Sequence, residues 1–321
     1  MPKRVILDVD PGIDDALAIL LALASPELQI EAITVVSGNT PVRQGLVNTL
    51  FVLDAACAPE ITVARGAESP LVRLLQTAGS THGPTGLGYA RPAVSARPVV
   101  AQHAANLIVD LVMASPGEIT LVALGPLTNI ALALRLQPQI AGEVAGLVVM
   151  GGTVQEPGNT NPVAEFNFHT DPHAAKIVLH SGMPIVQVGL DVTRKALFRS
   201  EHLAKVLATA SPVSDLVADT TRFYIERHRR NFGLDGCALH DPLALASVVV
   251  PDLLTTQKVY VDIETASELT MGQSVADFRG LSDKEPNVDV AVGVDTERFI
   301  AMFLERIAAL SERVGGIDRC G

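Results

Sequence analysis

Four aspartates lie within eight residues near the start of the chain, in the segment DVDPGIDD over 8–15. Acidic side chains favour the N-terminus of a helix, so helix capping accounts for one or two of them. Capping does not account for all four, because their mutual repulsion destabilises the fold unless a cation lies between them. Carboxylate oxygens without paired His or Cys favour Ca²⁺ or Mg²⁺ over zinc. The segment therefore predicts a divalent-metal site.

A second acidic group lies far downstream, at His240-Asp241. Pro242 follows at the first position of an apolar helical pattern, so this pair also fits an ordinary helix start. The same arrangement places a carboxylate beside an imidazole at the end of a loop. Histidine is the side chain best suited to deliver a proton near neutral pH, which makes His240 a candidate proton donor as well.

A polar segment between these two sites contains Asn159, Glu165 and Asn167. Two amides and a carboxylate can donate and accept hydrogen bonds together, as the recognition of sugar hydroxyls requires. A polar loop with asparagine turns fits the same residues. The residues alone leave both interpretations open.

The elements that must position these groups follow from alternating apolar patterns. Short apolar runs predict strands over 4–8, 30–36, 61–64, 119–123, 147–150 and 185–189. Helical patterns lie at 14–24, 44–56, 99–114, 127–136 and 172–180. Several strands are apolar on both faces, which indicates helices on both sides of the sheet. We predict an α/β fold with an open, mostly parallel, doubly wound sheet.

Beyond Asp191 the pattern is mainly helical as far as residue 247, which predicts a C-terminal helical elaboration. Strand patterns follow around 258–263 and 288–292, and a helix is predicted over 295–311. The sequence contains no repeat or long linker, so we predict one domain over 1–321. Ligands of open parallel sheets bind beyond the carboxyl ends of the strands. Those ends carry Asp, Asn or Gly residues here, so we expect a shared crevice.

Composition excludes several classes of partner. The net charge of −11 argues against nucleic acid or an anionic membrane surface, because phosphate binding needs a basic field. No apolar run approaches the roughly 20 residues of a membrane helix, and the N-terminal sequence turns acidic too early for a secretion signal. The cysteines Cys57, Cys237 and Cys320 form neither a disulfide framework nor a zinc-ligand spacing. We expect a cytoplasmic protein.

Six motifs, in order along nearly the whole chain, resemble those of the calcium-dependent nucleoside hydrolases of the inosine-uridine-preferring or pyrimidine-preferring kind. They are DVDPGIDDA at 8–16, SGNT at 37–40, GPLTN at 125–129, MGG at 150–152, NPVAEFN at 161–167 and LHDPLA at 239–244. The resemblance implies hydrolysis of the N-glycosidic bond of ribonucleosides to ribose and free base. It also implies Ca²⁺ as cofactor, a homodimer or homotetramer, and a role in nucleoside salvage.

The resemblance further implies a set of metal ligands. Ca²⁺ is held by the carboxylates of Asp10, Asp15 and Asp241 and by the main-chain carbonyl of Leu124. Asp10 is also the base that takes a proton from a metal-bound water, which Asn39 helps to place.

Substrate contacts are implied in the same way. The ribose contacts are Asp14 and Asn167 for the 2′-hydroxyl, Asp241 for the 3′-hydroxyl, Asn159 and Glu165 for the 5′-hydroxyl, and Met150 beneath the sugar. Near the base, His240 matches the proton donor, His82 lies in the mobile loop that closes over the site, and His228 stands where relatives carry Tyr or Gln. Purine-specific relatives stack the base between tryptophans, and this chain has none.

Two other function classes fit part of the pattern. DVDPG resembles the DxDxT opening of haloacid-dehalogenase-type phosphatases, which use Mg²⁺, but Gly12 replaces the threonine and Asp14-Asp15 has no role there. A non-catalytic nucleoside- or ribose-binding protein would not require Asp10 and His240. Ribose release from uridine separates these alternatives from a hydrolase, and phosphate release favours the phosphatase.

Overall fold

A nine-stranded sheet forms the centre of the computed structural model, which describes residues 1–316 without the side chains of residues 231 and 232. Its strands are β1 (Lys3–Val9), β2 (Leu28–Val35), β3 (Thr62–Arg65), β4 (Ile119–Ala123), β5 (Gly146–Met150), β6 (Ile185–Val188), β9 (Leu254–Ile263), β10 (Ser274–Asp277) and β11 (Val288–Val294), in the spatial order β10-β9-β11-β6-β5-β4-β1-β2-β3. Strands β1 to β6 and β11 are parallel, whereas β9 and β10 add antiparallel pairs at one edge. A separate antiparallel ribbon joins β7 (Leu197–Phe198) to β8 (Cys237–Ala238).

Helices connect these strands and follow them. They are α1 (Ile13–Leu23), α2 (Val42–Ala55), α3 (Gly79–His82), α4 (Ala104–Ala114), α5 (Thr128–Leu136), α6 (Ile140–Glu143), α7 (Phe166–Thr170), α8 (Pro172–Leu179), α9 (Leu190–Thr193), α10 (Ser200–Val206), α11 (Pro212–Phe232), α12 (His240–Val249) and α13 (Thr296–Gly315), with one 3-10 turn at Pro251–Leu253. Of the described helices, none is long and apolar enough to cross a membrane.

The two faces of the sheet carry separate hydrophobic cores, and β1 shows why. Successive side chains of a strand point to opposite faces. Val5, Leu7 and Val9 accordingly pack into the core that contains α1, α2, α11, α12 and α13. Ile6 packs into the other core, beneath α4, α5 and α8. Helices therefore cover both faces, and the predicted doubly wound α/β architecture is confirmed.

Most of the predicted helices and strands are present, and their ends lie within a few residues of the predicted ends. The bounds of β4 are those predicted. The largest difference is the helix predicted over 99–114, which begins only at Ala104. His103 caps its N-terminus, because its Nδ1 accepts a hydrogen bond of 3.1 Å from the backbone N–H of Ala105. The β7–β8 ribbon was not predicted, because its strands have two residues each. The edge strand β10 was not predicted either, because its sequence SVAD contains only two apolar residues.

The cysteines have different environments. Cys57 is partly buried and packs against the core that contains α1 and α2. Cys237 is buried and free, and burial raises the pKa of its thiol. Cys320 lies outside the described residues.

Candidate active site

The carboxyl ends of the parallel strands surround a cavity of about 300 Å³. This volume is at the small end of the range typical of ligand pockets. The predicted site residues that line it are Asp14, Asn39, His82, Leu124, Met150, Asn159, Glu165, Asn167, His240 and Asp241. Asp10 and Asp15 are fully buried, and neither they nor His228 lines the cavity. The predicted crevice thus brings together segments from across the chain.

The acidic turn between β1 and α1 is fixed by Asp15. One oxygen of its carboxylate accepts a hydrogen bond of 3.0 Å from the backbone N–H of Asp10, and the other accepts one of 2.9 Å from Gly12. Asp15 therefore caps the start of α1, so the capping interpretation of the acidic segment is right for this residue.

Asp10 and Asp14 each keep one carboxylate oxygen without a partner. Oδ2 of Asp10 accepts a hydrogen bond of 2.6 Å from the backbone N–H of Asn39. Oδ1 of Asp10 and Oδ1 of Asp14 are buried, and no described group donates a hydrogen bond to them. Carboxylate oxygens of Asp14, Asp15 and Asp241 lie within 4.8 Å of one another. This donor set fits a hard divalent cation.

The carboxyl groups of this cluster destabilise one another when they are ionised. Burial and the charge of Asp15 raise the pKa of Asp14 to about 8. Burial and the charge of Asp15 also raise the pKa of Asp10 well above its usual range. The pKa of Asp241 is raised by burial and by the charges of Asp14, Asp15 and Asp10. A bound cation would relieve both the burial of charge and the repulsion.

Asp8 differs from the other three aspartates of the segment. Its Oδ1 accepts hydrogen bonds of 2.6 Å from the Thr34 hydroxyl and 2.8 Å from the side-chain amide of Asn129. Burial raises the pKa of Asp8 to about 7. Asp8 therefore joins β1 to β2 and α5, and it does not line the cavity.

The opposite wall contains the predicted ribose contacts. Glu165 is the N-cap of α7, where its carboxylate accepts hydrogen bonds from the backbone N–H groups of Asn167, Phe168 and Gly152. Burial raises the pKa of Glu165 to about 7 despite these donors. Asn159 is exposed at the rim, and its backbone N–H donates to the carbonyl of Ala164.

Two imidazoles lie on the remaining side of the cavity. Nδ1 of His82 accepts a hydrogen bond of 3.1 Å from the backbone N–H of Ile13. Nδ1 of His240 lies 2.7 Å from the hydroxyl of Thr193. Burial, supported by neighbouring positive charges, lowers the pKa of each imidazole to about 3. Both are neutral at pH 7 in the free protein.

Sequence reasoning missed two lining residues on α11, Tyr224 and Arg227. The ring of Tyr224 lies 5.7 Å from that of His82, and it packs edge-on at 4.6 Å against the ring of His228. Nδ1 of His228 lies 3.0 Å from the carbonyl of Tyr224. Residues three and four apart share a helix face, so the predicted position of His228 could have pointed to Tyr224, four residues before it. Arg227 is adjacent to His228, and the spacing rule does not point to it.

Solved structures place this architecture in the nucleoside hydrolase class. A plant nucleoside hydrolase superposes with a TM-score of 0.92 at 36% identity, over 96% of this chain and 100% of that chain. A purine-preferring ribonucleoside hydrolase from Gardnerella vaginalis superposes with a TM-score of 0.93 at 35% identity, over 97% of this chain and 100% of that chain.

The chain belongs to the inosine-uridine preferring nucleoside hydrolase family, whose model matches residues 5–301. The inosine-uridine preferring nucleoside hydrolase of Crithidia fasciculata is 42% identical over 98% of this chain and 99% of its own length. The pyrimidine-specific ribonucleoside hydrolase RihA of Citrobacter koseri is 42% identical over 96% of this chain and 99% of its own length. The predicted family is thereby confirmed, and the protein is a ribonucleoside hydrolase rather than a phosphatase or a binding protein.

Proposed function

We propose that the protein hydrolyses ribonucleosides at a Ca²⁺ site formed by the carboxylates of Asp10, Asp15 and Asp241 and the carbonyl of Leu124. The proposal depends above all on the buried carboxylates of Asp14, Asp15 and Asp241, whose oxygens lie within 4.8 Å of one another beside the cavity. Asp10 lies outside this cluster, and its buried, partnerless Oδ1 supports its place in the site. A cation bound there supplies positive charge that offsets the carboxylate repulsion and lowers the pKa of a water. Hard oxygen donors favour Ca²⁺ over a softer ion.

Asp10 is the proposed general base. Its Oδ2 is held by the N–H of Asn39, while its buried Oδ1 has no partner and is free to accept a proton from the attacking water. A Cβ at Gly38 would overlap Oδ2 of Asp10, so glycine is needed for this close approach. The charge of Asp10 also favours the oxocarbenium-like sugar that forms as the glycosidic bond breaks.

The ribose is held by buried polar groups. We assign Asp14 and Asn167 to the 2′-hydroxyl, Asp241 to the 3′-hydroxyl, and Glu165 with Asn159 to the 5′-hydroxyl. Met150 lines the cavity beside Asn167 and supplies an apolar surface beneath the sugar. Fixed polar partners orient the ring toward the attacking water, which lowers the entropic part of the barrier.

His240 is the proposed donor of a proton to the departing base. Thr193 occupies its Nδ1, which leaves Nε2 as the atom that can face the base. The pKa of His240 is low in the free protein because the partly buried imidazole is desolvated and lies near other positive charges. Negative charge that develops on the departing base would raise this pKa, so the imidazole would take up a proton from solvent and pass it to the base. His82 and His228 are the other histidines assigned to the base side.

We further propose a preference for pyrimidine nucleosides or for inosine and uridine. Two relatives at 42% identity carry these preferences in their names, and the chain contains no tryptophan for stacking a purine. One domain over 1–321, a homodimer or homotetramer, a cytoplasmic location, a role in nucleoside salvage and the absence of nucleic-acid and membrane partners stay predictions from the sequence.

A substrate panel tests the proposed function. The purified protein with Ca²⁺ is expected to release ribose from uridine and inosine, and to release no phosphate from p-nitrophenyl phosphate. Cytidine and adenosine in the same panel determine the base preference. Absence of ribose release from all four nucleosides would overturn the proposed function.

A further inference from the structure

Asn48 is a fully buried polar residue on α2 that lies outside the cavity. Its side-chain Nδ2 donates two hydrogen bonds, one of 2.9 Å to the carbonyl of Pro11 and one of 2.8 Å to the carbonyl of Thr85. Its Oδ1 accepts a hydrogen bond of 2.9 Å from the side chain of Gln44, which fixes the orientation of the amide. A single amide group therefore joins the acidic turn to residue 85.

Thr85 belongs to the segment over 76–90, which we call the covering segment because several of its residues form one wall of the cavity. Gly86 has a φ of +86° and lies against Asn48. A Cβ there would overlap Thr40 and would lie 3.0 Å from Nδ2 of Asn48 and 3.1 Å from the Pro11 carbonyl. Only glycine adopts this conformation in this space without strain. The covering segment is thus packed directly on the acidic turn.

The covering segment connects this anchor to the imidazole of His82. Thr85 follows His82 by three residues, and the carbonyl of His82 accepts a hydrogen bond of 2.8 Å from the N–H of Gly88. The imidazole itself accepts a hydrogen bond from Ile13 on the far side of the acidic turn. Displacement of Thr85 therefore moves His82 relative to the aspartates.

We propose that Asn48 is a positioning residue for nucleoside hydrolysis and that it acts through His82. The inference rests on the proposed function, in which His82 lies on the base side of the site. Asn48 ties the backbone that follows His82 to the backbone between Asp10 and Gly12, so the imidazole and the carboxylate cluster keep a fixed separation. The buried carbonyl of Pro11 and the part-buried carbonyl of Thr85 would otherwise lack this donor.

A double-mutant cycle tests the proposal. Asn48→Asp keeps the shape of the side chain but places a carboxylate oxygen against two carbonyl oxygens. We expect kcat/KM for uridine to fall by about 10- to 100-fold, because misplacement of a site group by about 1 Å has an effect of this size. In the His82→Ala background, Asn48→Asp should lower kcat/KM by no more than about 2-fold, because the imidazole that Asn48 positions is absent.

Asn287 offers a matched control. Its side-chain amide also donates to two backbone carbonyls, those of Leu179 and Val261, at 3.0 Å each, and it is a partly buried residue just before β11. Asn287→Asp should lower the melting temperature and leave kcat/KM within about 2-fold of the wild type. This control separates a loss of fold stability from a loss of positioning.

Two outcomes overturn the proposal: a full additional loss of kcat/KM in the His82→Ala background, or wild-type kinetics in Asn48→Asp with only a lower melting temperature. If Asn48→Asp does not fold, Gly86→Ala replaces it in the same cycle, because its Cβ pushes the covering segment away from Asn48. Wild-type protein that releases no ribose overturns the proposed function itself, which is a separate result.

Discussion

The side-chain amide of Asn167 donates a hydrogen bond of 2.7 Å to the backbone carbonyl of Leu124. The same amide also donates a bond of 3.1 Å to the carbonyl of Met150. Leu124 is a proposed cation ligand, and Asn167 is a proposed contact of the ribose 2′-hydroxyl. One side-chain amide therefore contacts the proposed cation ligand and belongs to the proposed ribose contact. A substitution of Asn167 should weaken both cation binding and ribose binding.

Ribose recognition provides the first prediction. A site that binds a hydroxyl with buried polar groups rejects the analogue without it by about 10⁴-fold, because those groups stay unpaired. We expect this ratio of kcat/KM between uridine and 2′-deoxyuridine in the wild type. Nδ2 of Asn167 already donates to two backbone carbonyls, so Oδ1 is the atom left for the hydroxyl. Asn167→Leu removes Oδ1 at similar volume and should reduce the ratio by at least about 10-fold. Steady-state kinetics on uridine and 2′-deoxyuridine measure this ratio. An unchanged ratio in Asn167→Leu would mean that Asn167 does not contact the 2′-hydroxyl.

Removal of the cation is the second prediction. Chelation should abolish ribose release and lower the melting temperature, because a ligand that binds only the native state stabilises it by about 2.7 kcal/mol at 100 times its Kd. Returning Ca²⁺ should restore both, whereas an equal concentration of Mg²⁺ serves as the control for ion specificity. Protein shown by elemental analysis to be free of metal and yet fully active would contradict the prediction.

The capping role of Glu165 leads to a third prediction. Glu165→Ala leaves three buried backbone N–H groups without their acceptor, so the free energy of unfolding should fall by about 1–3 kcal/mol. Glu165→Gln keeps one acceptor oxygen, so its free energy of unfolding should fall by less. Asp295 caps α13 at an exposed position, where it accepts from Arg298, and Asp295→Ala is the matched control at about 1 kcal/mol. Urea denaturation measures the free energy of unfolding of all three variants. Equal decreases for Glu165→Ala and Asp295→Ala would contradict the prediction that the buried cap stabilises the fold more than the exposed one.

Local sequence signals were sufficient for the parts of the fold and site that depend on local chemistry. The alternation of apolar runs predicted the strands of the parallel region, because strands covered on both faces must be apolar throughout. The acidic turn was predictable because β1, Pro11 and Gly12 bring its carboxylates together within a few residues. The rule that strand ends meet at one edge predicted a shared crevice there, whereas the particular site residues followed from the resemblance to the nucleoside hydrolases.

Contacts between distant segments were not predictable in this way. The partners of Asp8 come from β2 and α5, so its separation from the cluster depends on packing that local periodicity does not encode. Tyr224 and Arg227 resemble ordinary surface-helix residues until α11 is placed over the cavity. The covering segment over 76–90 has little regular structure, and tertiary hydrogen bonds such as those of Asn48 determine its course.

The last prediction separates the roles of Asp10 and His240. Asp10→Ala should be nearly inactive on every riboside, because every leaving group needs the same activated water. His240→Ala should lose about 10²–10⁴-fold on uridine and inosine, whose departing anions need a proton. The same variant should keep most of its activity on p-nitrophenyl riboside, because its phenolate departs without a proton.

His82→Ala and the double variant His82→Ala, His240→Ala complete a cycle on kcat/KM that shows whether the two imidazoles share the proton transfer. Additive losses on inosine assign them independent contributions, and a double variant no worse than His240→Ala shows that His82 acts only through His240. Equal loss on both kinds of substrate in His240→Ala would mean that His240 positions the sugar or supports Asp241. The proton would then have to come from His82, His228 or solvent.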